Sequence, residues 1–145
     1  MGIEVIDVEE AIKKAGCEIR PLDIVLIMTG ADKHWGKKIY PEAHPGMSAE
    51  ATLYLINLGV KLMGTDAFGF DCPFGVMIEE YFRTGCSSVL WPAHLVGRTK
   101  EYYHIERMMN LDKIPRPHGF KLACFPIKVK KGSMGWVRPV AIIEE

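Results

Sequence analysis

The sequence predicts an α/β fold with a mixed sheet and flanking helices, on three observations. The run Ile24-Val25-Leu26-Ile27-Met28 is apolar at every position and β-branched at its start, as expected of a buried strand covered on both faces. From Ser48 to Asn57 the apolar positions Ala51, Leu53, Tyr54, Leu55 and then Leu58 gather on one broad helical face, before Gly59 stops the pattern. The chain then returns as Val60-Lys61-Leu62-Met63-Gly64. Strand, long loop, helix and strand make a parallel crossover, which places loops at the carboxyl ends of the strands, where α/β proteins bind ligands.

The remaining elements follow in order. Asp7 precedes Val-Glu-Glu-Ala-Ile-Lys-Lys-Ala, with acids first, lysines last and Gly16 beyond, so a short helix is predicted there. Residues 31–45 hold glycine, two prolines, two histidines and Trp35 without period and read as a long loop of the functional kind. Pro73 to Arg83 reads as a helix, Ser87 to Leu90 as a short strand, Pro92 to Lys100 as loop or a single turn, and Tyr102 to Ile105 as a second short strand. The tail is read as three strands: Phe120 to Phe125 and Ile127 to Lys130 flanking Pro126, then Trp136 to Ile143 after the Gly132 to Gly135 turn.

A chain of 145 residues is one ordinary domain, 1–145, able to bury about two-thirds of its surface. Eighteen Lys and Arg balance eighteen Asp and Glu, so no basic field points to nucleic acid or an anionic membrane. Cys17, Cys72, Cys86 and Cys124 show no CxxC spacing, which fits reduced thiols and a cytoplasmic location. No run approaches the roughly 20 apolar residues of a membrane span, and the first residues lack a signal-peptide pattern. The expected partner is a small molecule or another copy of the chain.

The residues with chemical promise lie between His94 and Glu106, twelve positions apart. An imidazole and a carboxylate leaving neighbouring strands suit a divalent metal, although a histidine after a strand is more often packed or hydrogen-bonded than metallated. His104 lies two residues before Glu106, so in a strand both face one side; it reads as a catalytic or substrate-contacting neighbour, or as an exposed histidine. Asp66 and Asp71 could orient ligands, but Asp beside Gly commonly makes a turn. Trp35, Phe68 and Phe70, with Trp91, could wall a substrate pocket or belong to the core. No GxSxG, P-loop, GxGxxG or HExxH pattern is present.

Taken together, several segments resemble the cyclase family of metal-dependent hydrolases, which includes bacterial kynurenine formamidase and isatin hydrolase. They are Asp23-Ile-Val-Leu-Ile with Thr29-Gly30, Pro45-Gly46-Met-Ser-Ala-Glu, and Gly59-Val-Lys-Leu-Met-Gly-Thr-Asp66. The His94 to Glu106 spacing follows, then Asn110-Leu111-Asp112, Gly119-Phe120 and Phe125-Pro-Ile-Lys-Val-Lys, in the family's order. The resemblance implies a swivelling β/β/α domain lacking its N-terminal part, of which this chain is the C-terminal two-thirds. It implies that His94 and Glu106 ligate Zn2+ or Mn2+, with further ligands from an HxGTHxDxPxH pattern that this chain does not contain.

The implied activity is arylformamidase-type hydrolysis of a C–N bond in a small amide, such as N-formylkynurenine in tryptophan catabolism or a cyclic amide. It implies a homo-oligomer, or a complementing N-terminal polypeptide that supplies the other ligands. The alternative is a catalytically inactive, truncated relative acting as an oligomeric binding or assembly module.

Overall fold

The computed structural model describes residues 2–144 and divides into two compact units, Met1–Asp112 and Lys113–Glu145. In the first unit a three-stranded parallel sheet has the order β2 (Ile24–Ile27), β4 (Leu62–Thr65), β5 (Tyr103–Ile105). The crossover from β2 to β4 runs through α2 (Ala49–Asn57), as the sequence pattern predicts. A separate two-residue parallel pair joins β1 (Gly2–Ile3) to β3 (Gly46–Met47).

Local chemistry accounts for the helix ends. Ser48 caps α2 by accepting a hydrogen bond from the Ala51 N–H (3.1 Å). Gly16 closes α1 (Val5–Ala15) in the left-handed conformation, φ 67°, and its N–H reaches the Ile12 and Lys13 carbonyls. Helix α1 starts earlier than expected because Asp7 is not its cap. It lies in the first turn and accepts from the Glu4 N–H (2.8 Å), so Glu4 becomes the entry residue.

The core joins the two faces of this layer: Val8 of α1, Ala51, Leu55 and Ile56 of α2, and Met47, Val60, Met63, Phe70 and Ala93. Helix α3 (Phe74–Thr84) follows the expected span closely. Two expectations need correction. Strand β2 is half-buried along its length rather than covered on both faces, and it is an edge strand among the described residues, pairing with β4 alone. Ser87–Val89 is a 3-10 turn rather than a strand, since no strand among the described residues pairs with it. As the single-turn reading allows, Pro92–Val96 is a short helix, α4, started by proline at its first position, where the missing N–H costs nothing.

All three strands of the central sheet run the same way, so their carboxyl ends gather at one rim. Thr29 lies just beyond β2, Asp66 directly after β4 and Glu106 directly after β5. Asp66, fully buried, accepts from the Thr29 N–H (2.8 Å), the Thr29 hydroxyl (2.6 Å) and the Gly30 N–H (2.7 Å). It locks the exit of β2 to the exit of β4 and is a structural brace.

The second unit contains an antiparallel pair, β6 (Lys121–Ala123) and β7 (Val140–Ile142), in the register Leu122 opposite Ala141. Both strands are shorter than the alternation suggested. Ile127 to Lys130 forms no strand; the Ile127 N–H reaches the Trp136 carbonyl (3.0 Å), and one such bond is not a ladder. No helix among the described residues is long and apolar enough to cross a membrane.

Candidate metal centre

His94 projects from α4, while His104 and Glu106 come from β5 and its exit. One potential ligand atom from each of the three lies within 4.8 Å of the others. His104 Nε2 is 3.5 Å and His94 Nε2 is 3.8 Å from the same oxygen, Glu106 Oε1. The two imidazoles meet edge to face at 4.5 Å, and the His104 ring stacks on Phe70 at 4.7 Å.

Asp71 sets the orientation of His94. Its carboxylate, with only 2% of the side chain exposed, accepts from His94 Nδ1 and from the Ala93 N–H (2.6 Å). Holding the proton on Nδ1 leaves Nε2 as the lone-pair nitrogen, turned to Glu106. Glu106 Oε1 is itself fixed by the Phe70 N–H (2.8 Å). The segment from Phe70 to Asp71 therefore positions both a histidine and a carboxylate.

Electrostatics follow this geometry. The Asp71 hydrogen bond, outweighing the opposing effect of burial, raises the His94 pKa above its ordinary value. For Glu106, burial acts upward, but hydrogen bonds from His104 and the Phe70 N–H, with the nearby imidazoles, bring the net value below the usual carboxylate range. Tyr102 donates to the Ala93 carbonyl (2.8 Å), and burial drives its pKa strongly upward, so it stays a neutral brace under α4.

The donor set fits a divalent ion. Around an ion with ligands at about 2.0–2.1 Å, tetrahedral geometry puts donor atoms roughly 3.3 Å apart, close to the two nitrogen-to-oxygen separations here, and all three donor atoms lie within 4.8 Å of one another. An imidazole backed by a carboxylate is the usual arrangement behind a ligating histidine. Two nitrogens and one carboxylate suit zinc and manganese better than a soft or purely oxygen-seeking ion.

A cavity of about 240 Å³ opens beside these groups, lined by Phe68, Phe70, Phe74, Trp91, His94, Glu106 and Arg107 among others. Phe68 and Phe70, expected at a substrate pocket, both line it. Trp35 does not: its ring packs edge-on against Tyr40 at 5.3 Å. His44 and Arg107 line the cavity without having been singled out from sequence, as neither has a spacing signal of its own. Asp71, offered by the sequence with Asp66 as an aspartate that could orient ligands, stands behind His94.

Comparison with known proteins agrees with this architecture. Residues 1–72 match the model of a family described as "Putative cyclase". A search of the curated proteins found no match. Among solved structures, an isatin hydrolase bound to the product analogue thioisatinate superposes with a TM-score of 0.80 at 22% identity, covering 100% of this chain and 54% of that one. Isatin hydrolase A from Ralstonia solanacearum gives 0.78 at 22% identity, covering 97% and 52%. The same enzyme from Labrenzia aggregata, bound to benzyl benzoate, gives 0.72 at 23%, covering 96% and 53%. The chain thus has their fold and spans about half of their length.

Proposed function

We propose that this chain carries a metal-holding share of a hydrolase that cleaves the C–N bond of a small amide, an aryl formamide such as N-formylkynurenine or a cyclic amide. The observation supporting it is the convergence of His94, His104 and Glu106 on one point beside the cavity, with Asp71 behind His94. In this reading His94 Nε2, Glu106 and, from this chain, His104 Nε2 hold zinc or manganese. Such an ion supplies Lewis acidity, polarising an amide carbonyl and acidifying water.

The protein's own groups do the rest. Asp71 keeps the His94 proton on Nδ1, so in the neutral imidazole Nε2 is the available nitrogen. The Phe70 N–H holds one Glu106 oxygen in place. Without an ion, His104 keeps its proton on Nε2, toward that same oxygen, and its stacking on Phe70 fixes the ring plane. The aromatic walls offer flat apolar surface to a planar substrate.

Elemental analysis of the purified protein, paired with His94→Ala, tests this reading. Stoichiometric zinc or manganese, lost in the variant and accompanied by hydrolysis of N-formylkynurenine or isatin, is expected. Absence of metal from the wild-type protein, even after incubation with either ion, would refute it.

A second reading, a catalytically silent binding or assembly module, is favoured by Phe125 and Trp136 of the second unit, each 85% exposed. An oligomer by light scattering, with bound metal but no amide turnover, is its expected signature. A hydrolytically active monomer would exclude it.

A further inference from the structure

Arg107 follows Glu106 directly and lines the same cavity. Its backbone is left-handed, φ 60°, unusual for a residue with a side chain. Its N–H donates to the Ala67 carbonyl (2.9 Å) and its Nε to the Phe68 carbonyl (3.0 Å), and the guanidinium carbon lies 4.0 Å from the Phe68 ring centroid. These contacts immobilise the stem, Nε and the plane of the guanidinium. They leave the two terminal nitrogens without a carboxylate partner among the described residues.

The acids that share this cavity do not neutralise it. Asp71 is engaged with His94 and Ala93, and Glu106 with Phe70 and the imidazoles. Glu42 lines the cavity but does not pair with Arg107. A fixed, unneutralised guanidinium fork matches a carboxylate in two parallel hydrogen bonds. Phe74 and Trp91, stacked at 5.6 Å on the cavity wall, offer flat apolar surface for a ring. The volume, about 240 Å³, lies below the roughly 300–1,000 Å³ of clefts for drug-sized ligands, so it suits a single ring with short substituents.

We infer that Arg107 is a specificity-determining residue that selects small planar aromatic substrates bearing a carboxylate. This rests on the reading of the cavity as the substrate site of an amide hydrolase. Arg107 recognises the anion, while the scissile amide faces the His94, His104 and Glu106 donors.

Binding of benzoate and of the isosteric, uncharged benzamide to wild-type protein and to Arg107→Gln, measured by calorimetry, tests the assignment without depending on turnover. Wild-type protein is expected to prefer benzoate by about tenfold, one charge-assisted hydrogen bond's worth, and the variant to bind both equally. Equal binding by the wild type, or an unchanged preference in Arg107→Gln, overturns the inference, because Arg107 is then only a clamp on Phe68. Should Arg107→Gln fail to fold, Arg107→Lys replaces it: a preference reduced by loss of the planar fork supports the assignment, and an undiminished one overturns it. Turnover of 2-formamidobenzoate against formanilide separates the two claims. Benzoate selectivity with neither substrate cleaved counts against the hydrolase reading alone, whereas equal cleavage of both without benzoate selectivity counts against Arg107 alone.

Discussion

The carboxylate of Asp71 holds His94 through Nδ1, and the opposite ring nitrogen lies 3.8 Å from Glu106 Oε1. One buried acid from the loop after β4 thus decides which nitrogen of a helix-borne histidine faces the donor cluster. Asp71→Asn keeps the shape and an acceptor but removes the charge. Zinc affinity is expected to fall by about 10–100-fold, the usual cost of altering the partner behind a ligating histidine, measured by competition with a chromophoric chelator. In the same variant the His94 pKa, followed by NMR, should drop toward its ordinary value. An unchanged zinc affinity would show that Asp71 only pins α4.

Gly46 ties β3 to this arrangement. A Cβ there would lie 1.9 Å from the Cys72 N and 2.1 Å from the Asp71 carbonyl carbon, both backbone atoms that cannot swing aside. Gly46→Ala is therefore expected to cost about 3 kcal/mol or more, the upper end of overpacking, by urea denaturation. Because the 70–72 segment must move, zinc affinity should weaken as well. A near-neutral change in stability would mean the two backbones part easily.

Metal-free stability should show two pH limits set by the cluster. His94 has a raised folded-state pKa, so its contribution is complete below the ordinary value of 6.5 and is lost as pH rises through the raised one. Glu106 has a lowered pKa, so its contribution is complete above the ordinary 4.5 and is lost as pH falls through the lowered one. Between about 4.5 and 6.5 both are present. His94→Gln should flatten the alkaline limb of the stability curve and, because the His94 charge is the smallest of the influences that lower the Glu106 pKa, move the acid limb only slightly. Metal uptake should show the opposite trend on the alkaline side, strengthening with pH as the ion displaces protons.

Ser48→Ala removes the cap of α2 while leaving the site's own contacts untouched. A loss of roughly 0.5–2 kcal/mol is expected in thermal or urea unfolding, with metal content unaltered. Loss of metal in this variant would reveal coupling between the crossover helix and the donor cluster.

How legible these features were in the sequence depended on the range of the interactions. The crossover of β2, α2 and β4 was readable because each piece announces itself locally: an apolar run, Ser48 as cap, Gly59 as stop. His94, His104 and Glu106 stood out by residue type and spacing, but the helix bearing His94 did not, since five residues beginning with proline leave no periodicity to read. Ser87 to Leu90 has strand-like residues and no strand to pair with. Asp71 was readable as an aspartate that could orient ligands, but its particular partners were not, because they lie 22 and 23 residues away and an aspartate near glycine is ordinarily explained by its nearest neighbours. Arg107 was invisible for the same reason: its meaning comes from Phe68, brought against it by the chain's return through β5.

The position of β2 at the rim of the sheet also bears on handling of the protein at high concentration. Along Ile24–Ile27 one side of the backbone has no strand beside it among the described residues, and the side chains there carry no charge to repel an approaching strand. Such a margin is a template for intermolecular strand addition, the first step toward fibrous or amorphous deposits. Concentrated stocks are therefore expected to lose material by self-templating along β2, and a lysine introduced into that margin to prolong their useful life.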